Sequence, residues 1–240
     1  ALLALGKRFD ATLFVLLEAA YALFLSRWSR ERDIVVATPI SSRSRPELAP
    51  LIGYFTNTLV LRSDCNGDLT FADFLQASRK MMLDAQEHHH VPFEVLVDKL
   101  NPPRSMAYNA LAQVSFTLQN NRAASVGAIE LPGVRFTSFG ENEHALLKFD
   151  LDLTLREDKD GLLAKWEFST DIFDRTTIER MDRHFQHLLD CIIANPQQTL
   201  SRMGLMPEDE VARIARWNAT EAPFPADDTL ISLFEAQVHA

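Results

Sequence analysis

Ile52-Gly53-Tyr54-Phe55-Thr56-Asn57-Thr58 is the segment whose residue types and spacing point most directly to a site. Gly53 permits close backbone approach, and Asn57 offers both donors and an acceptor just ahead of an expected strand, so the group could line a substrate channel. The same composition also suits a structural turn. The run Glu87-His88-His89-His90 invites a metal reading. Consecutive helical residues lie about 100° apart, so three in a row cannot all face one ion; a polar helix end, with imidazoles at the negative pole of the dipole, is the reading adopted. Asp150 and Asp152 fall on one strand face roughly 7 Å apart, where paired carboxylates can share acid and base work. Lys148 and Arg156 flank them, however, and alternation alone would place charges there, so a solvated face is expected. The sequence holds no phosphate-cradling glycine loop, no GxSxG elbow and no serine or cysteine nucleophile set beside a histidine. By this chemistry it is not visibly a complete enzyme, and no metal site is expected.

The elements that position these residues belong to a chain of 240 residues, enough for one large domain or two small ones. Such a chain buries roughly 70–75% of its unfolded surface and needs no disulfide or metal to fold. Lys and Arg total 24 against 33 Asp and Glu, a net charge of −9, with no basic block. Nucleic acid and anionic membrane are therefore poor partners, because phosphate binding rests on dense positive charge. Cys65 and Cys191 lie far apart and outside any zinc spacing, which suits a reducing cytosol, and Cys191 falls in an amphipathic run as a small core residue. The apolar run Thr12 to Leu25 follows Lys7 and Arg8 in the manner of a signal peptide. Asp10 and Glu18 interrupt it, and it is shorter than the roughly 20 residues of a bilayer span. It is read as a buried helix capped by Asp10. The opening Ala1-Leu2-Leu3, without Met, is expected to be a fragment boundary.

Strands are predicted at Asp33 to Ile40, Asn57 to Arg62, Ala112 to Gln119 and Val134 to Gly140. A helix opens at Thr70 with Asp73 in the capping-box position, and Pro92 at a first helical position starts a shorter one through Leu100. Phe149, Leu151, Leu153 and Leu155 alternate with polar residues, Asp160-Gly161 supplies a turn, and Ala164, Trp166 and Phe168 form the facing strand of a hairpin. Asp174 caps a helix with an Ile178, Met181, Phe185, Leu188, Leu189, Ile192 stripe, ended by Asn195-Pro196. Pro207 to Trp217 is a charged amphipathic helix, Asn218 to Asp228 a linker and Thr229 to Val238 a further helix. Interspersed helices and strands, with one antiparallel hairpin, predict an α/β (α+β) sandwich with helices packed on a mixed sheet.

Several segments, taken together, resemble one family. Ile52 to Arg62 (IGYFTNTLVLR) is similar to the IGxFVNTxxxR motif of nonribosomal peptide synthetase condensation domains, with Thr56 in place of Val. His88 to Glu94 (HHHVPFE) is similar to HQDxPFE, with His89 and His90 where Gln and Asp are usual. Arg104 to Leu111 (RSMAYNAL) is a weaker match to RDxSRNPL, agreeing at Arg104, Asn109 and Leu111 and departing at Ala107. Gln113-Val114, Leu118-Gln119-Asn120, Phe149-Asp150-Leu151 and Thr170-Asp171-Ile172-Phe173 continue in the family's order. Trp217-Asn218-Ala219-Thr220 with Phe224-Pro225 resembles the linker into an adenylation domain, and Leu233 to Gln237 that domain's first helix.

The resemblance implies the C-terminal half of a condensation domain over residues 1–205, with a chloramphenicol-acetyltransferase-like fold, and a linker plus first adenylation-domain helix over 206–240. It implies amide bond formation between an acyl or peptidyl thioester and an aminoacyl thioester, both on phosphopantetheine arms of carrier domains, with no cofactor bound directly. The family's HHxxxDG motif is not found in these residues, so the chain is expected to be inactive alone and to form one wall of the tunnel where the arms meet. Asn57 is the best candidate for a tunnel-facing polar group, with Gly53 and Phe55 shaping the wall, and Arg62 and Asn109 next. Glu94 and Arg104 are equally well read as structural. Expected partners are the N-terminal half, carrier domains, the adenylation domain and, through an exposed apolar half-domain face, a second copy. A noncatalytic docking module and a stand-alone acyltransferase with an intersubunit site remain as alternatives.

Overall fold

The computed structural model describes residues 1–43, 45–103, 105, 107–119, 147–158, 161–221 and 228–239. They form two compact units, Ala1–Leu205 and Met206–Ala240. The first begins with α1 (Leu2–Arg8) and α2 (Leu13–Ser29), followed by β1 (Asp33–Ser41), β2 (Thr56–Asp64), α3 (Phe71–Glu87), α4 (Phe93–Leu100), β3 (Val114–Gln119), β4 (Leu151–Asp158), β5 (Gly161–Phe168) and α5 (Arg175–Ala194). The second contains α6 (Glu208–Asn218) and α7 (Leu230–His239). The Val134 to Gly140 strand, Arg104, Asp160 and Phe224-Pro225 lie outside the described residues.

Five strands form one sheet in the order β2-β1-β3-β4-β5. The outer pairs β1/β2 and β4/β5 are antiparallel, whereas β1/β3 and β3/β4 are parallel. The sheet is mixed because the chain leaves after β2, returns as β3 on the far side of β1, and adds β4 parallel to β3 before the closing hairpin to β5. Between β1 and β3 the register pairs Ala37 with Ser115 and goes no further. Two residues later comes Pro39, which has no N–H to give a ladder; its place on a central strand is tolerated where that ladder has ended.

Period-2 alternation divides the sheet into two chemically different faces. Ile34, Val36, Leu59, Leu61, Phe116, Leu151, Leu153 and Leu155 are buried in the core with α2, α3 and α5. Thr56, Thr58, Thr117, Asp152 and Thr154 border a concavity on the other side. From Val15 to Leu25 every residue of α2 is buried, Glu18 included. No single helix among the described residues is long and apolar enough to cross a membrane.

The starts of α2 and α4 depart from the sequence expectations, and those of α3 and α5 fall where expected. The cap of α2 is Thr12, whose hydroxyl accepts from the Val15 N–H at 3.2 Å. Asp10 instead adopts a left-handed conformation, with φ of 50°, and pairs with Arg79. Thr70 caps α3, accepting from the Asp73 N–H at 3.1 Å and donating to the Asp73 carboxylate at 2.6 Å. Asp174 stands at the N-cap of α5 without a side-chain capping bond. Pro92 is the N-cap of α4, so the helix starts at Phe93, one residue later than expected, and Pro92 has no side chain able to cap.

Candidate functional site

The β1/β2 register opposes Asn57 to Ile40, near the end where β2 enters the sheet. Its amide Nδ2 donates to the carbonyls of His89 at 2.8 Å and Val91 at 2.7 Å, and its Oδ1 accepts from the Phe93 N–H at 3.2 Å. The Phe93 N–H is one of the donors that the start of α4 leaves without an intrahelical partner. Asn57 thus performs from β2 the capping that Pro92 cannot. With both amide hydrogens engaged, it retains one acceptor lone pair.

Beside this clamp lies an open cavity of about 640 Å³, bordered by Phe55, Asn57, His90, Glu94, Asn109 and Lys148 among others. It adjoins a second of about 390 Å³ on the polar sheet face; Tyr54, Thr56, Thr58, Lys148 and Phe149 border both. Of the five expected tunnel residues, the structure brings Asn57, Phe55 and Asn109 to one wall. Asn109 donates from Nδ2 to the Lys148 carbonyl, tethering two segments 39 residues apart. Gly53 stands just outside. A Cβ there would meet Phe55 Cε2 at 3.1 Å, so the glycine lets that ring fold back against its own loop. The Arg43 guanidinium covers the ring at 4.1 Å and donates to the Leu48 and Gly53 carbonyls, a cation held against the negative face of the aromatic system.

Arg62 is placed elsewhere. It makes a bidentate pair with Asp33, at 2.8 and 2.7 Å, toward the opposite end of the β1/β2 pair. Hydrogen bonding from Arg62 holds the Asp33 carboxyl below its ordinary value, but both side chains are exposed. Exposed pairs contribute little because water and salt screen them. Arg62→Ala should therefore leave the melting temperature essentially unchanged at physiological salt, as calorimetry can check.

The histidine run divides as helix geometry requires. His89 turns its Nδ1 to the Gln86 carbonyl at 2.6 Å, His90 borders the cavity, and His88 is exposed at the end of α3. No group of three or more His, Cys, Asp or Glu that could hold a metal occurs among the described residues. Cys65 and Cys191 are free thiols. Burial pushes the Cys65 thiol up to about 12, which keeps it protonated and unreactive.

The expectation for Asp150 and Asp152 requires correction. Asp150 precedes β4, and its backbone joins Gln113 and Ser169. Asp152 accepts from the hydroxyls of Ser115 and Thr154, the latter at 3.0 Å. It is a half-buried, hydrogen-bonded carboxylate, not a solvated one. Sequence reasoning missed Ser115, although its phase with Thr117 on β3 placed it on the polar face. Across the parallel pair it stands opposite Asp152.

A family profile described as "Condensation domain" matches residues 1–215, reaching into α6. One of the linear gramicidin synthase proteins of Brevibacillus parabrevis is 42% identical over 239 residues, covering 99% of this chain and 5% of that protein. Tyrocidine synthase 2 of the same organism is 37% identical over 238 residues, covering 98% of this chain and 6% of that protein. This chain thus spans only a small fraction of the length of the curated relatives it matches. Among solved structures, a four-domain nonribosomal peptide synthetase bound to AMP and glycine superposes with TM-score 0.86 at 22% identity, covering 99% of this chain and 19% of that one. The first condensation domain of the CDA synthetase superposes with TM-score 0.67 at 20% identity, covering 86% of this chain and 45% of that one.

Proposed function

Since this chain belongs to the condensation domain family of nonribosomal peptide synthetases, we propose that Ala1–Leu205 is the C-terminal half of such a domain and forms one wall of its reaction tunnel. The observation that carries the reading is the superposition on a condensation domain, which takes in 86% of this chain but 45% of that structure. The open polar sheet face supports it. Ser115, Asp152 and Thr154 form a hydrogen-bonded group there, and the exposed apolar side chains of Tyr54 and Leu147 border the same concavity. A second half-domain over this face would cover apolar side chains otherwise left to water.

In this reading the assembled domain joins a carrier-bound acyl or peptidyl thioester to a carrier-bound aminoacyl amine. The amine attacks the thioester carbonyl, an amide forms, and the thiol of the donor arm leaves. The present residues contribute binding and orientation, and the reactive histidine comes from the other half. The phosphopantetheine arms belong to the carrier domains, and the setting is cytoplasmic. Met206–Ala240 leads toward an adenylation domain.

The test supplies an N-terminal half in trans, together with two loaded carrier proteins, and follows amide formation by mass spectrometry. Restored turnover is expected, with none from this chain alone. Turnover by the isolated chain would overturn the half-domain reading. Tight carrier binding without turnover, even with the partner half present, would establish a docking role instead. Sedimentation run alongside tells whether a second copy occupies the same face.

A further inference from the structure

We infer that Asn57 is a positioning residue and that His90 is the side chain it positions against substrate in the 640 Å³ cavity, an inference that rests on the condensation reading above. The two carbonyls that receive the Asn57 amide belong to His89 and Val91, the residues on either side of His90. The third bond, from the Phe93 N–H, ties the same side chain to the start of α4. One planar amide on a strand thus holds the backbone before, after and beyond a single histidine. The segment's other backbone bonds are turn bonds at the end of α3, from His88 to Ala85, His89 to Gln86 and Val91 to His88, at 3.0–3.3 Å, beside the His89 ring on the Gln86 carbonyl. They close the turn without joining it to the sheet.

Asn57 is a weak candidate for direct recognition of a substrate carbonyl. A substrate carbonyl could take one of its hydrogens only by displacing a protein carbonyl already bonded at 2.7 or 2.8 Å, and an acceptor stripped of its donor is costly to leave unpaired. His90 faces the opposite situation. Its ring is exposed at the cavity border, with Glu94 and Lys148 on the same border. A neutral imidazole offers one donor and one acceptor, which fits the amine and carbonyl of an aminoacyl thioester. His90 is also, with His89, one of the two positions at which this sequence departs from the HQDxPFE pattern, so the recognition it provides is a property of this chain and not of the motif.

The experiment uses the complete synthetase module with loaded carriers and compares Asn57→Ala, His90→Ala and the double variant. Each single change should lower kcat/KM for the acceptor-loaded carrier by about 10- to 100-fold, the range expected when a reacting group is displaced by an ångström or so. The double variant should be no worse than the weaker single one, because both changes remove one contact. Additive losses would mean that Asn57 meets substrate itself, and wild-type kinetics in His90→Ala would remove His90; either result overturns the inference. Should Asn57→Ala fail to fold, Asn57→Asp keeps the shape and the acceptor while turning two donors into oxygens that repel the carbonyls. Hydrogen exchange gives a readout independent of catalysis. In Asn57→Ala, which loses the acceptor, the Phe93 amide should exchange at least about tenfold faster while the β2 interior stays protected. Unchanged exchange would overturn the clamp even in a module that makes amide. Faster exchange in a module that makes none would leave the clamp standing and remove the condensation reading.

Discussion

Phe185→Ala should destabilise the fold by about 3–5 kcal/mol, the range for removing a fully buried aromatic ring from a core that cannot close around the gap. Phe185 is 2% exposed, on the inner stripe of α5. Its ring lies 5.5 Å from Phe24, 6.1 Å from Tyr21 and 6.2 Å from Trp166, all near edge-on. These four rings join α2, β5 and α5, so a single substitution loosens three elements at once. Tilted and edge-on ring pairs also add roughly 0.5–1.5 kcal/mol each beyond burial. Phe185→Leu, which retains most of the volume, should lose less than about 1.5 kcal/mol. Urea denaturation of this chain distinguishes the two variants. A loss below about 1 kcal/mol for Phe185→Ala would show that α5 is not anchored through this ring.

The second large effect depends on pH. Burial pushes the Glu18 carboxyl from 4.5 up to about 8. It sits in the middle of α2 at 1% exposure, with Oε1 lacking a hydrogen-bond partner. Below pH 4.5 both the folded and the unfolded chain hold its proton, and the stability contribution is at its fullest. Between 4.5 and 8 the unfolded chain releases the proton while the folded chain keeps it, so stability falls as pH rises. Above 8 both forms are ionised and the decline ends. Each pH unit of difference corresponds to about 1.4 kcal/mol, so the full loss is on the order of 3–5 kcal/mol. Glu18→Gln removes the titration while nearly preserving shape. Its melting temperature should match the parent's near pH 4.5 and exceed it by several degrees at pH 8. Parallel melting curves for parent and variant across that window would show that Glu18 ionises in the folded protein without penalty.

The β4/β5 hairpin was legible because its pattern is local. Apolar residues alternate through Leu151, Leu153 and Leu155, and the partner strand follows at once, with Leu151 opposite Phe168 and Asp158 opposite Gly161. The α5 stripe was legible for the same reason: Ile178, Met181, Phe185, Leu188 and Ile192 are buried, and Leu189 at its edge is half-buried. The cap of α2 was misplaced because Asp10 and Thr12 are both good capping residues, and the choice depends on Arg79, 69 positions away, which pairs with Asp10. The motifs identified the family, since a run of residue identities in order survives without knowledge of packing. They did not tell which motif residues touch substrate.

By itself, then, the amino-acid order determined where most of the described helices and strands lie, which of their faces are apolar, and the family to which the chain belongs. Each of these is written in recurrences of two or about 3.6 residues, or in short contiguous motifs. Tertiary structure alone decided the partners. Asn57 reaches carbonyls 32 and 34 positions away, Asp152 receives a hydroxyl from 37 positions away, and Arg62 turns from the cavity to Asp33. A hydrogen bond depends on angles and distances of a few ångströms. Those are set when distant segments pack together, and the intervening sequence carries no periodic trace of them.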